Sequence, residues 1–233
     1  MGVSAGLIET ARVEGGRVPL WPFHRLRLVA SAQALGLTLP AGLPTAEEVA
    51  VSACAIQGIA AVRLTATPTE IRMEARPVSP SGEGWRACSI PRPQDADPLR
   101  AYKTTLRADH ESAGAYARAQ GCEEAIWSDA EGLLTEGTIT NLFVAVRGRL
   151  YTPRATGSNL LPGIARGRIL SAGAVAGHQV REASLTIEDL VTADEAFLTN
   201  AVRGAIPLLS LDGKRLRRGG LWRAAMACIF SGA

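Results

Sequence analysis

Only three histidines occur in the 233 residues, His24, His110 and His178, and they stand far apart. That spacing weakens zinc binding or Ser-His-Asp chemistry, so any acid–base work falls to other side chains. Other common signatures are missing too: there is no G-x-x-x-x-G-K-[ST] phosphate loop, no G-x-S-x-G elbow, no H-E-x-x-H, and no G-x-G-x-x-G after the first strand. Four segments stay informative. They are Leu7-Ile8-Glu9-Thr10-Ala11-Arg12-Val13 with His24-Arg25-Leu26-Arg27-Leu28; Tyr102-Lys103-Thr104-Thr105-Leu106-Arg107; Leu134-Thr135-Glu136-Gly137-Thr138-Ile139-Thr140-Asn141-Leu142-Phe143; and Leu161-Pro162-Gly163-Ile164-Ala165-Arg166, followed by Leu198-Thr199-Asn200-Ala201. Each has a plain structural reading. A lone lysine is a solvated surface residue, since an ammonium is rarely buried unpaired. Glu136 alone is a turn or strand-edge carboxylate, Leu161-Pro162-Gly163 a loop before a helix, and His24-Arg25-Leu26-Arg27 the polar face of one. Their joint occurrence, in order, is what carries information.

Elements must position these residues. Leu7 to Val13 and Arg17 to Leu20 flank Glu14-Gly15-Gly16, which predicts an opening hairpin. Pro22 suits a first helical turn, and Phe23, Leu26, Val29, Ala30, Gln33 and Ala34 follow a helical spacing that ends at Gly36. Thr45 with Glu48 reads as a capping box ahead of a helix whose apolar face includes Val49, Ala53 and Ile56. Ala61 to Thr67 and Glu70 to Arg76 alternate as a second hairpin. The Pro/Gly/Ser-rich stretch Pro77 to Gly84 predicts a boundary, giving a small N-terminal domain over 1–78, a linker over 79–84 and a larger domain over 85–233 that carries Lys103. In that larger part, strands are expected at Trp85 to Ile90, Glu123 to Trp127, Asn141 to Val146, Arg149 to Thr152, His178 to Ala183, Glu195 to Leu198 and Ala205 to Leu208. Helices are expected near Arg107 to Gln120, Ile164 to Ala176 and Leu221 to Phe230. The tight Arg147-Gly148 turn excludes a purely parallel sheet, so the expected class is α+β in two domains.

Composition narrows the field further. Hydrophobic residues at 47% and charged residues at 20% fit a globular chain. A net charge of +3 is small for a nucleic-acid binder, and the basic stretch Lys214 to Gly220 reads as a solvated turn. Four scattered cysteines suggest reduced core thiols rather than a metal or dithiol motif. The first ten residues lack a signal-peptide pattern and no apolar run is long enough to span a membrane, which leads to a cytoplasmic expectation.

In order and spacing, from about Leu7 to Pro207, the four segments resemble the class-IV aminotransferases, the fold-type IV pyridoxal-phosphate enzymes. Thr-Glu-Gly-x-x-x-Asn-Leu-Phe is the most specific part. The resemblance implies a small α/β sandwich domain and a larger mixed-sheet pseudobarrel domain. It implies pyridoxal 5'-phosphate as cofactor, no metal, a small-molecule substrate and a homodimer. Lys103 would hold the cofactor as a Schiff base, which requires a neutral amine. Glu136 would face the pyridine nitrogen and keep the ring protonated. Arg27, the amides of Ile164 and Ala165, and Thr199 with Asn200 would hold the phosphate. The family often has threonine where Ala165 stands, which removes a hydroxyl but keeps the amide.

Within the family, branched-chain aminotransferases carry a tyrosine five residues past the lysine, where this chain has Ala108. Lys-Thr-Thr-x-Arg, the opening Glu-Thr-Ala-Arg-Val followed by Gly-Gly-Arg, and Thr199-Asn200-Ala201 look like the 4-amino-4-deoxychorismate lyases, including forms fused to aminodeoxychorismate synthase, a possible partner. Such a lyase removes a proton with Lys103, eliminates pyruvate and leaves 4-aminobenzoate, a folate precursor. Arg107 suits a substrate with two carboxylates. Thr10 either helps protonate the leaving enolpyruvyl group or is simply a core-facing strand residue. Members usually carry a further segment ahead of the position matched by Leu7, so the small domain is expected to lack an edge strand. A class-IV transaminase of branched-chain or D-amino acid type, and a non-catalytic homologue of the same fold, remain the rival readings.

Overall fold

A computed structural model describes residues 6–92, 97–155 and 160–231; the part of the leader reading that concerns residues 1–5 lies outside them. The chain divides into two compact units. The first holds 6–80 together with Tyr102–Arg107, and the second holds the described residues of Ser81–Ala101 and Ala108–Ser231.

In the first unit, β1 (Leu7–Glu14), β2 (Ile59–Ala66) and β3 (Ile71–Pro77) form an antiparallel sheet in that order. Alternation along β1 sends Leu7, Ala11 and Val13 into the core shared with α1 (Trp21–Ala34) and α2 (Ala46–Val51). The expected opening hairpin is not formed. Glu14 and Arg17 exchange a single bridge, and β1 pairs instead with β2 along its whole length, because the chain turns into α1 at Trp21 before a second strand can run. The capping box at Thr45 is present in both directions, at 2.8 and 3.2 Å. The buried face of α1 is not the predicted one. Trp21, His24, Leu28, Ser31 and Ala32 point inward, whereas Phe23, Leu26 and Val29 are exposed, Leu26 at 72%.

Tyr102–Arg107 belongs with this unit and not, as expected, with the larger one. Its backbone continues the free edge of β1: Ile8 N donates to Lys103 O at 2.7 Å, and Thr105 N donates to Gly6 O at 2.8 Å. Backbone groups at a strand edge must find partners, and this segment supplies them.

The second unit contains β4 (Trp85–Pro91), a 3₁₀ turn (Pro98–Ala101), α3 (Ala108–Ala119), β5 (Glu124–Ser128), β6 (Leu134–Gly137), β7 (Asn141–Val146) and β8 (Arg149–Pro153). After these come α4 (Ile164–Ala172), β9 (Ala174–Val175), β10 (His178–Ala183), α5 (Ile187–Thr192), β11 (Glu195–Asn200), β12 (Gly204–Leu211), β13 (Lys214–Arg215) and α6 (Leu221–Phe230). The strands run in the order β11-β12-β4-β5-β6-β7, and β11 also pairs with β7, so six strands close on themselves. Parallel pairs (β12 with β4, β4 with β5) mix with antiparallel ones, giving the α+β pseudobarrel. The β7–β8 hairpin turns at Arg147 and Gly148, both at positive φ. Helix α4 stops at Gly173, in the left-handed conformation, short of the expected Ala176.

All four cysteines are free, but only Cys88 is buried; Cys54 lies exposed just past α2. Within the basic stretch, Arg217 and Arg218 make surface ion pairs with Asp194 and Glu83. Among the described residues no helix is long and apolar enough to cross a membrane, and no cluster of metal-ligating side chains occurs.

Candidate active site

The sequence-predicted residues fall into two sets, one on each unit. In the first unit the organising group is Glu9, a residue that no local signal singled out. It is 2% exposed and accepts three hydrogen bonds: from His24 Nδ1 at 2.6 Å, from Arg27 Nε at 2.8 Å and from Arg27 Nη2 at 2.6 Å. Burial alone would raise its pKa, but Arg27 and His24 together bring the carboxyl down to about 2. Burial holds His24 below its ordinary value, with Glu9 opposing and the charges of Arg27 and Lys103 adding to the depression. A neutral imidazole that gives its Nδ1 proton to Glu9 keeps Nε2 as a bare acceptor, and that atom is buried without a partner among the described residues. Lys103 therefore lies within electrostatic reach of a cluster made by Glu9, His24 and Arg27. Arg27 is committed to Glu9 through one fork, leaving Nη1 outside that pair. Thr10, opposite Arg63 in the β1–β2 ladder, is half-buried and faces away from Glu9 across the sheet. Arg107 is half-buried at the end of the lysine segment.

In the second unit the structure brings together Glu136, Ile164, Ala165, Thr199 and Asn200. Glu136 ends β6 and is buried. Its carboxylate takes the amide of Leu161 at 3.1 Å to each oxygen, Arg92 Nη2 at 3.1 Å and the Asn141 amide at 3.4 Å. Asn141 also donates to Leu161 O at 2.9 Å, so it ties Glu136 to the loop leading into α4. Arg92, missed by sequence reading, stacks on Trp127 at 4.5 Å. A guanidinium and an amide on one carboxylate fix its direction.

The glycine of Leu-Pro-Gly has a spatial reason. A Cβ on Gly163 would stand 2.1 Å from Asn141 Oδ1, so only glycine lets the start of α4 approach Asn141. Gly163 is the N-cap and no side chain caps the helix, which leaves the first amides, those of Ile164 and Ala165 included, for another acceptor. Thr199 is the register partner of Asn141 across β7–β11, so both side chains lie on one face of that ladder. Thr199 is fully buried, yet among the described residues its hydroxyl has no hydrogen-bond partner. A buried orphan hydroxyl next to an uncapped helix start suits an anion with several oxygens. Asn200 contributes differently from expectation: its side-chain oxygen accepts from Val202 N at 3.1 Å and Arg203 N at 2.8 Å, which closes the β11–β12 turn.

Comparison with known proteins agrees with this architecture. The model of the amino-transferase class IV family matches residues 6–211, and the chain belongs to that family. A branched-chain-amino-acid aminotransferase of Escherichia coli (strain K12) is 39% identical over 106 residues, which are 46% of this chain and 34% of that protein; the match thus spans about a third of that relative's length. Among solved structures, a branched-chain aminotransferase from Thermoproteus uzoniensis with norvaline superposes with a TM-score of 0.83 at 27% identity, covering 97% of this chain and 84% of the other. A Legionella pneumophila protein provisionally assigned as a 4-amino-4-deoxychorismate lyase gives 0.79 at 28% identity, covering 94% and 90%.

Proposed function

We propose that this chain is a pyridoxal-phosphate enzyme acting on a small amine-bearing acid, and that its reaction is the lyase one, release of pyruvate from 4-amino-4-deoxychorismate to leave 4-aminobenzoate. The observation that carries the cofactor is the anion-ready end of the second unit: an uncapped α4, an orphan buried Thr199 hydroxyl and a glycine that admits no Cβ. When bound, pyridoxal phosphate supplies an aldehyde that captures amines and a ring that accepts electrons.

The residues then divide the work. Ile164 and Ala165 would offer backbone amides, and Thr199 its hydroxyl, to the phosphate, while the Asn200 side chain holds the turn that follows Thr199. Arg27 adds a positive charge through the fork that Glu9 does not occupy. Glu136, oriented by Arg92 and Leu161 N, would be the carboxylate that meets the ring nitrogen and supports a proton there. Lys103 would hold the cofactor aldehyde and would be the group placed to take the proton from the substrate carbon beside the amine. Arg107 would receive a substrate carboxylate.

The lyase assignment is supported by Lys103-Thr104-Thr105-x-Arg107, by Ala108 where branched-chain enzymes carry tyrosine, and by the Legionella structure. The identity to the Escherichia coli aminotransferase favours transamination as a second reading. The reading brings with it a homodimer in the cytoplasm and a synthase partner that supplies the substrate. The deciding experiment gives the purified protein aminodeoxychorismate without a keto acid. Pyruvate and 4-aminobenzoate in equal amounts support the lyase; turnover that demands a keto acid supports the transaminase. Borohydride reduction followed by peptide mapping should label Lys103, and a label on any other lysine sinks the assignment.

A further inference from the structure

Glu123 and Glu124 are neighbours with opposite surroundings. Glu123 reaches the surface and pairs with Arg86 at 2.8 Å. Glu124, at the start of β5, is 0% exposed, and the described groups that donate to its carboxylate are uncharged. One oxygen accepts from Ala125 N at 3.0 Å, from Thr138 N at 2.9 Å and from the Thr138 hydroxyl; the other accepts from the Thr140 hydroxyl at 2.8 Å and from Ile139 N at 3.3 Å. The turn from Gly137 to Thr140 is wrapped around this carboxylate. Gly137 is required by closeness, since a Cβ there would stand 2.3 Å from Thr140 Oγ1 and 2.7 Å from Glu124 Oε2.

Burying a carboxylate without a cation is costly, and an apolar side chain of similar size would stabilise the fold more cheaply. What the carboxylate adds is direction. It draws both threonine hydroxyls and two turn amides inward, so the tip residue Ile139 is left outside, 54% exposed. The turn joins the end of β6, where Glu136 stands, to the start of β7, where Asn141 stands, and those two side chains are bonded to each other.

We infer that Glu124 is a positioning residue: by gathering the 137–140 turn around itself, it fixes Glu136 and Asn141 in the arrangement that receives the ring nitrogen of the cofactor. This rests on the proposed role of Glu136. Glu124→Gln keeps the size of the side chain but turns an amide group toward converging donors, and Thr140→Val removes one donor while keeping shape. Leu190→Ala, in the buried core at α5, is the control for stability lost elsewhere.

Each protein is stripped of cofactor and titrated with pyridoxal phosphate by absorbance, while amide exchange is followed at Thr138 and Ile139. Glu124→Gln is expected to bind about tenfold more weakly, with a shifted visible band and faster exchange at both amides, and Thr140→Val about threefold more weakly. Leu190→Ala should melt earlier yet bind as the parent does. Should Glu124→Gln fail to fold, Thr140→Val carries the test against the same control. The positioning role is overturned if the parent binds and both variants match its affinity and band, or if Leu190→Ala loosens the cofactor equally. A parent that takes up no pyridoxal phosphate overturns the cofactor reading itself, a distinguishable result.

Discussion

Two glutamates, one in each unit, are buried to the same degree and titrate in opposite directions. Glu9 meets a guanidinium and an imidazole and falls to about 2. Glu124 meets five neutral donors, and burial still pushes its pKa up against them. Hydrogen bonds from uncharged groups give a carboxylate orientation but do not repay the loss of water as a cation does. Glu9 thus works as a charge paired with Arg27, whereas Glu124 works as an acceptor that shapes the turn around it.

Removing Glu9 should do the most damage. Glu9→Ala leaves Arg27 and His24 without their anion and is expected to cost about 4 kcal/mol in urea unfolding. A Glu9→Met, Arg27→Met double variant should lose far less, and an equal loss would break the ion-pair account. Next comes pH. Because the Glu9 carboxyl sits below its ordinary value near 4.5, its stabilisation is complete above that value and disappears as pH falls through about 2. The difference is worth about 3 kcal/mol. Acid unfolding of Glu9→Gln should lack that slope. Glu124 has the opposite sign: its raised pKa makes ionisation unfavourable to the fold, so its contribution worsens as pH rises from 4.5 through the raised value.

Gly137→Ala should cost about 2 kcal/mol by overpacking against Thr140 and Glu124, measured as a lower urea midpoint, with weaker cofactor binding besides. The smallest change in stability belongs to Thr199→Val. Its hydroxyl has no partner to lose, so the urea midpoint should move by less than about 0.5 kcal/mol. Pyridoxal-phosphate affinity, measured in the same preparation, should drop about tenfold. Thr199→Val that unfolds early, or binds unchanged, would remove the contrast between a residue kept for the fold and one kept for a ligand.

Local chemistry was legible in the sequence. The capping box at Thr45, the Arg147-Gly148 hairpin and the start of α4 at Gly163-Ile164 follow from a few adjacent residues, and the segments quoted around Lys103, Glu136 and Thr199 contain most of the candidate site. What stayed hidden is set by distant partners. The face of α1 was misread because a polar residue, His24, is drawn inward by Glu9, fifteen positions away, while Phe23 and Leu26 stay outside. Nothing in Glu123-Glu124 says which carboxylate turns inward; strand alternation decides it once β5 is placed between β4 and β6. Arg92 and Trp127 meet only after those strands pair. Lys103 joined the first unit because β1 had a free edge, a fact about the sheet and not about the lysine segment.

The closure of the pseudobarrel by β7 and β11 works as a ruler. Asn141, tied to Glu136, and Thr199 are ladder partners, so the span between the proposed ring-nitrogen contact and the proposed phosphate contact is set by backbone pairing and not by side-chain packing. Inserting a single residue into β11 ahead of Thr199 would rotate Leu198 toward Asn141 and turn the hydroxyl to the opposite face of the sheet. A two-residue insertion would restore the facing that a one-residue insertion reverses.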